Sequence, residues 1–129
     1  VVLLDTIGEL GAAWGLADLA FVGGSLDGRR GGQNMIEPAA YGAAVVFGPH
    51  VWNFKEPARR LIECAAARQV NDAAELSGVI HELLDDPAER ARMGSAARAF
   101  VQQQQGATGR TVELLGQLIE ARQRRPNAA

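Results

Sequence analysis

Leu19-Ala20-Phe21-Val22-Gly23-Gly24-Ser25, followed nineteen residues on by Ala44-Val45-Val46-Phe47-Gly48-Pro49, decides the fold. Each segment is a short, continuously apolar run closed by glycine, as expected of a strand buried on both faces. Between them lie a glycine-rich loop, Asp27–Gln33, and a helical pattern over Met35–Tyr41. Two apolar strands joined through a helix imply a parallel sheet with helices covering both faces. Working outward, Val1–Leu4 reads as a further strand and Gly8–Leu16 as its crossover helix. Downstream, Pro57 suits the first turn of a helix running to about Ala67, and Gln69-Val70 reads as a short fourth strand.

Leu76, Val79, Ile80, Leu83 and Leu84 then fall on one helical face. Asp86-Pro87 restarts a helix, with Asp86 as cap, whose apolar face is Met93, Ala96, Ala97, Phe100 and Val101. Gly106 and Gly109 break it, and Val112, Leu115, Leu118 and Ile119 mark a last amphipathic helix. These two helices lie beyond the repeating unit and are expected to pack on its outside, with Arg122–Ala129 as a frayed tail. The expected class is α/β: a Rossmann-like, doubly wound parallel sheet with extra C-terminal helices.

Composition narrows the function classes. The 129 residues are 47% apolar and 22% charged, the balance of one soluble globular domain. Net charge is −2, with no concentration of basic residues, which speaks against a nucleic-acid partner. A single cysteine, Cys64, excludes an internal disulfide and any cysteine-built zinc cage, and reads as helix filling. No apolar run approaches the roughly 18 residues that span a bilayer. Because Val1-Val2-Leu3-Leu4 opens directly as a strand, the chain reads as a piece of a longer protein.

Parallel sheets bind ligands outside the carboxyl ends of their strands, which directs attention to Asp5–Glu9, Gly23–Glu37 and Gly48–Glu56. Thr6-Ile7-Gly8-Glu9 and Asn34-Met35-Ile36-Glu37 share one design, a short polar residue with Glu three positions later. This is the pattern of a capping box, and a cap needs no ligand. It also fits a nucleotide. Glycines at Gly8, Gly31 and Gly32 admit a phosphate or ribose close to the backbone, first-turn amides receive the anion, and the Glu accepts from ribose hydroxyls. Both readings are open on spacing alone. There is no Gly-x-x-x-x-Gly-Lys-Ser/Thr loop, no full dinucleotide fingerprint and no metal-ligand spacing. His50, in a Gly-Pro-His turn on the same edge, reads equally as loop packing or as contact with an anionic ligand; His81 reads as solvated. Asn53 reads as the cap of the following helix and Phe54 as a staple, while Arg29 and Arg30 lie in the preceding loop.

In order, Asp5-Thr6-x-Gly8-Glu9-Leu10, Ala17–Leu26, Gly31-Gly32-Gln33-Asn34-x-x-Glu37-Pro38-Ala39-Ala40, Gly48-Pro49-His50 with Asn53-Phe54, and Gln105-Gly106-Ala107 resemble the C-terminal domain of the 3-deoxy-D-manno-octulosonic acid (Kdo) transferases. The resemblance implies one half of a GT-B glycosyltransferase, with nucleotide (CMP) contacts at Ile7, Gly8, Glu9, Asn34, Met35, Ile36 and Glu37. Gly24, Ser25, Gly32 and His50 would belong to the donor-site loops. The donor would be CMP-Kdo and the acceptor a lipid A precursor, at the cytoplasmic face of the bacterial inner membrane. The family's catalytic Glu and membrane anchor lie in an N-terminal half, so no catalytic residue is assigned to this chain. A Pro-Arg nucleotide contact would also lie upstream of Val1. No cofactor or metal is implied. Members commonly have Pro-Leu where this chain has Met35-Ile36, and the Asp27–Arg30 loop is about one residue longer than usual. Two alternatives stand beside this reading: a GT-B transferase or epimerase using a UDP-sugar, and a non-catalytic nucleotide-binding module.

Overall fold

The computed structural model describes residues 1–123. A three-stranded parallel sheet of β1 (Leu19–Val22), β2 (Ala44–Phe47) and β3 (Ala67–Gln69) runs in chain order. β2 is central, with Leu19 opposite Ala44 on one side and Val45 opposite Ala67 on the other. All four of its residues are buried, because each face of the sheet is covered.

Alternation along β2 divides the interior. Val45 and Phe47 point into a core with Met35, Ala39, Leu61, Ala97, Phe100 and Val101. Ala44 and Val46 point the other way, to Val70, Leu83 and Met93. Three helices close the first face: α2 (Ile36–Tyr41), α3 (Lys55–Glu63) and the second half of α5 (Pro87–Gln104). The opposite face takes α4 (Ala73–Asp85) and the start of α5. The α/β class with helices on both faces stands as read from the sequence.

Helix ends follow from local chemistry. Asp72 caps α4 by accepting from the amides of Ala74 and Glu75, both at 2.9 Å. Asp86 ends α4 and caps α5 through the Glu89 amide at 2.9 Å, with Pro87 at the first helical position. Gly42, at φ +88°, closes α2 in the left-handed conformation. Gly94 of α5 lies so close to the Gly42 carbonyl that a Cβ there would collide with it.

Several expectations are corrected. Val1–Leu4 forms no strand, and its side chains are exposed. The first crossover is shorter than Gly8–Leu16, a four-residue α1 (Leu10–Ala13) and a 3-10 turn at Trp14–Leu16. α3 stops at Glu63, not near Ala67, because Ala65 adopts φ +53° and Ala67 already belongs to β3. The fourth expected strand, at Gln69-Val70, is thus β3 at Ala67–Gln69. α5 is a core element and not an outer one, since it contributes to both apolar clusters. Only Gly106, at φ +88°, breaks it; Gly109 lies inside the next helix, α6 (Ala107–Gln123). Val112, Leu115, Leu118 and Ile119 do share α6, yet each is more than half exposed. Of the frayed tail read at 122–129, Arg122 and Gln123 are helical and 124–129 fall outside the described residues. Cys64 is the exposed residue that ends α3, not an interior helix position.

One ionic cluster ties β3 to α4 and α5. Arg68 reaches Glu82 at 2.8 Å and Glu89 at 3.5 Å, and Glu89 also receives Arg92 at 2.6 Å. The Arg92 hydrogen bond, aided by the charges of Arg92 and Arg68, holds the Glu89 carboxyl down to about 2 from its ordinary 4.5. A depressed carboxyl stabilises the fold fully above its unfolded value, and that contribution is lost as pH falls through its folded value. Glu89→Gln should therefore flatten the fall in stability between pH 4.5 and about 2. Urea unfolding at a series of pH values checks this; equal acid sensitivity in both proteins would contradict it.

Candidate functional site

The site is built where β1 and β2 end. The Ser25 side chain is fully buried; its hydroxyl donates to the Val22 carbonyl at 2.5 Å and accepts from the Gly48 amide at 2.8 Å. The Ser25 carbonyl in turn accepts from the His50 amide at 2.9 Å. Ser25 thus fastens the loop after β1 to the loop after β2, and its side chain is taken up in doing so.

The loop after β1 then closes on itself. The amide of Gly32 donates to Gly24 at 3.0 Å and that of Gln33 to Gly23 at 3.1 Å. Gly24, Gly28, Gly31 and Gly32 all lie between φ +66° and +77°, a region open to glycine at no steric cost. Neighbours press on several of them. A Cβ on Gly31 would collide with the Trp52 indole, and one on Gly28 would meet the His50 ring at 3.2 Å. His50 and Trp52 meet edge to face with centroids 6.0 Å apart. Asn53 donates through Nδ2 to the Arg30 carbonyl at 2.9 Å, so it braces this loop and does not cap α3. The His50 ring thus lies between Gly28 and Trp52. Trp52, which the sequence reading passes over, is the brace that the Gly31-Gly32 pair signals.

This closed loop delivers Asn34 to the start of α2. Asn34 Oδ1 accepts from the Ile36 amide at 3.0 Å, while Nδ2 donates to Glu37 Oε1 at 2.9 Å. The arrangement differs from a capping box, in which the Glu returns to a backbone amide; here one side chain holds the other. Met35 is fully buried, an anchor in the core. Glu37 is exposed, and Ile36 is half-buried.

The first junction repeats part of this design. The Thr6 hydroxyl donates to the Glu9 carboxylate, again three residues on. However, α1 begins at Leu10 with Glu9 in the cap position and no side-chain cap bond, so the expected box is absent. Ile7 is fully exposed, and a Cβ on Gly8 would meet nothing within 4 Å. The structure therefore unites Asn34–Glu37 with the loops of Gly24, Ser25, Gly32 and His50. It leaves Ile7, Gly8 and Glu9 standing in solvent. Among the described residues no group of His, Cys, Asp and Glu could hold a metal ion, and no helix is long and apolar enough to cross a membrane.

Known proteins are similar to this chain over most of its length. A 3-deoxy-D-manno-octulosonic acid transferase of Bordetella pertussis is 45% identical over 115 residues, 89% of this chain. One from Haemophilus influenzae is 38% identical over 93% of the chain. The crystal structure of the C-terminal CMP-Kdo binding domain of WaaA from Acinetobacter baumannii superposes with a TM-score of 0.72 at 31% identity. By sequence and by fold, the chain is similar to part of the Kdo transferases. No family model matches it. The chain spans 27% and 28% of the two curated relatives' lengths, and the superposition covers 78% of this chain and 52% of the Acinetobacter chain.

Replacing Ser25 by Ala strands the buried Gly48 amide and removes the tie between the loops. A buried backbone group left without its partner costs roughly 1–3 kcal/mol. Ser25→Ala should lower the unfolding free energy by about that much, measured by chemical denaturation. An unchanged midpoint and slope would contradict the pin.

Proposed function

We propose that this chain is the donor-binding part of a Kdo transferase, holding CMP-Kdo while the sugar passes to a lipid A precursor. The observation that carries the reading is the Asn34–Glu37 pair, bonded at 2.9 Å at the mouth of the sheet and exposed on its carboxylate side. Asn34 takes up one oxygen of Glu37 and fixes the rotamer. The second oxygen is then pre-oriented to accept hydrogen bonds from the paired hydroxyls of a ribose, at little further loss of side-chain freedom. Met35 and Ile36 act behind it: Met35 is buried and the Ile36 amide is held by Asn34 Oδ1, so together they set the turn that presents Glu37.

Ile7, Gly8 and Glu9 supply the second wall, with Glu9 held by Thr6 as Glu37 is by Asn34. Gly24, Ser25, Gly32 and His50 shape the loops behind the donor. Met35-Ile36 in place of the family's Pro-Leu leaves the turn before Glu37 in position, because Asn34 and the buried Met35 fix it. In the whole protein, a GT-B arrangement would set this wall across a cleft from the catalytic Glu, at the cytoplasmic face of the inner membrane. No residue of this chain is assigned a catalytic role.

Glu37→Ala removes a charged acceptor, and such bonds contribute about 1.5–3 kcal/mol. Affinity for CMP should fall roughly 10- to 100-fold, measured by calorimetric titration, while the unfolding midpoint hardly moves. Equal CMP affinity in parent and variant would refute the assignment. Measurable Kdo transfer by the 129-residue chain alone would equally refute the division of labour.

A further inference from the structure

Arg30 is exposed, yet three contacts hold it in place. Its carbonyl accepts from Asn53 Nδ2 at 2.9 Å, and the next residue, Gly31, lies against the Trp52 indole. Its stem crosses Gly24: a Cβ built on that glycine would meet Arg30 Cβ at 3.1 Å and Cδ at 3.5 Å. Gly24 is also where the loop returns, since its carbonyl accepts from the Gly32 amide at 3.0 Å. The Arg30 stem is thereby fastened at the carboxyl end of β1, the edge where a parallel sheet takes its ligand.

No acid among the described residues pairs with this cation. Asp27, the one acid of the Asp27–Gln33 loop, accepts from the Arg29 amide at 3.1 Å instead. Other arginines of the chain are taken up by the fold. Arg59, Arg68 and Arg92 stand in ion pairs, Arg90 donates to the Leu83 and Leu84 carbonyls, and Arg60 lies over the Phe100 ring. The same loop leads, four residues beyond Gly32, to the exposed carboxylate of Glu37. A ligand with negative charges of its own is repelled by that carboxylate unless a cation stands near it.

We infer that Arg30 receives an anionic group of the donor, the CMP phosphate or the sugar carboxylate, and so selects acidic nucleotide ligands over neutral ones. The inference rests on the donor-binding reading above and adds to it the cation that the Asn34–Glu37 pair lacks. A guanidinium meets either group with two parallel N–H donors. Asn53, Trp52 and Gly24 have already ordered the backbone and the stem, so little freedom is lost when the anion arrives. Gly24 is then required twice, for its φ of +70° and for the room it leaves the stem.

Titration of the 129-residue chain with cytidine, CMP and CMP-Kdo, followed by backbone amide shifts, tests this. Arg30→Met keeps a stem over Gly24 and removes the charge. It should leave cytidine affinity unchanged and weaken CMP-Kdo binding about tenfold or more. An equal loss with CMP assigns the phosphate to Arg30, and CMP binding at parental strength assigns the carboxylate. Arg29→Met, at the exposed neighbour, should weaken neither ligand. Parental CMP-Kdo affinity in Arg30→Met would overturn the inference, as would an equal loss with cytidine or an equal loss in Arg29→Met. In those cases Glu37-dependent binding of CMP by the parent chain leaves the donor reading standing. A parent chain that binds neither CMP nor CMP-Kdo refutes the donor reading itself, and this inference with it.

Discussion

The structure depends on the Ser25 hydroxyl, which joins the last carbonyl of β1 to the first amide beyond β2. A parallel sheet leaves the loops after its strands without partners from the ladder, and a site made of such loops has to be stiffened by side chains. Ser25 does this from inside. His50, Trp52 and Asn53 do it from outside, against glycines that leave them room. The consequence is felt at Asn34, whose two side-chain atoms divide the work of turning α2 and holding Glu37. Each step hands its rigidity to the next. The exposed Glu37 is therefore the last member of a chain of contacts that begins in the core.

Much of this was legible in the sequence. The apolar runs at Leu19–Val22 and Ala44–Phe47 appear as strands at those bounds, because continuous burial on two faces leaves few other uses for such residues. Asp86-Pro87 marked the break between two helices for reasons of local chemistry alone. Other features depended on what lies far away in sequence. Val1–Leu4 has the composition of a strand but is unpaired in the structure, and composition carries no information about pairing. Gly94 is held to glycine by Gly42, a neighbour distant in sequence. Gly109 looked like a breaker and is not one, since glycine in a helix carries only a modest penalty.

The candidate site was legible in kind and less so in detail. The repeated spacing of a short polar residue and Glu led to both junctions, and both make the same side chain to side chain bond. Neither makes the expected box, because the helices start later than the pattern suggests. Spacing also could not separate residues that face a ligand from residues that hold the loop. Ser25 and Met35 are buried and Asn53 is a brace, whereas Glu37 is exposed. Burial, which the sequence does not print, is what sorts them.

The most direct test of donor binding is a pair of titrations of the isotopically labelled chain, one with CMP and one with UDP, followed residue by residue. The account predicts tighter binding of CMP, with the largest shifts at Asn34–Glu37 and at Gly8. Preference for UDP, or no shift at these residues with either nucleotide, would contradict it.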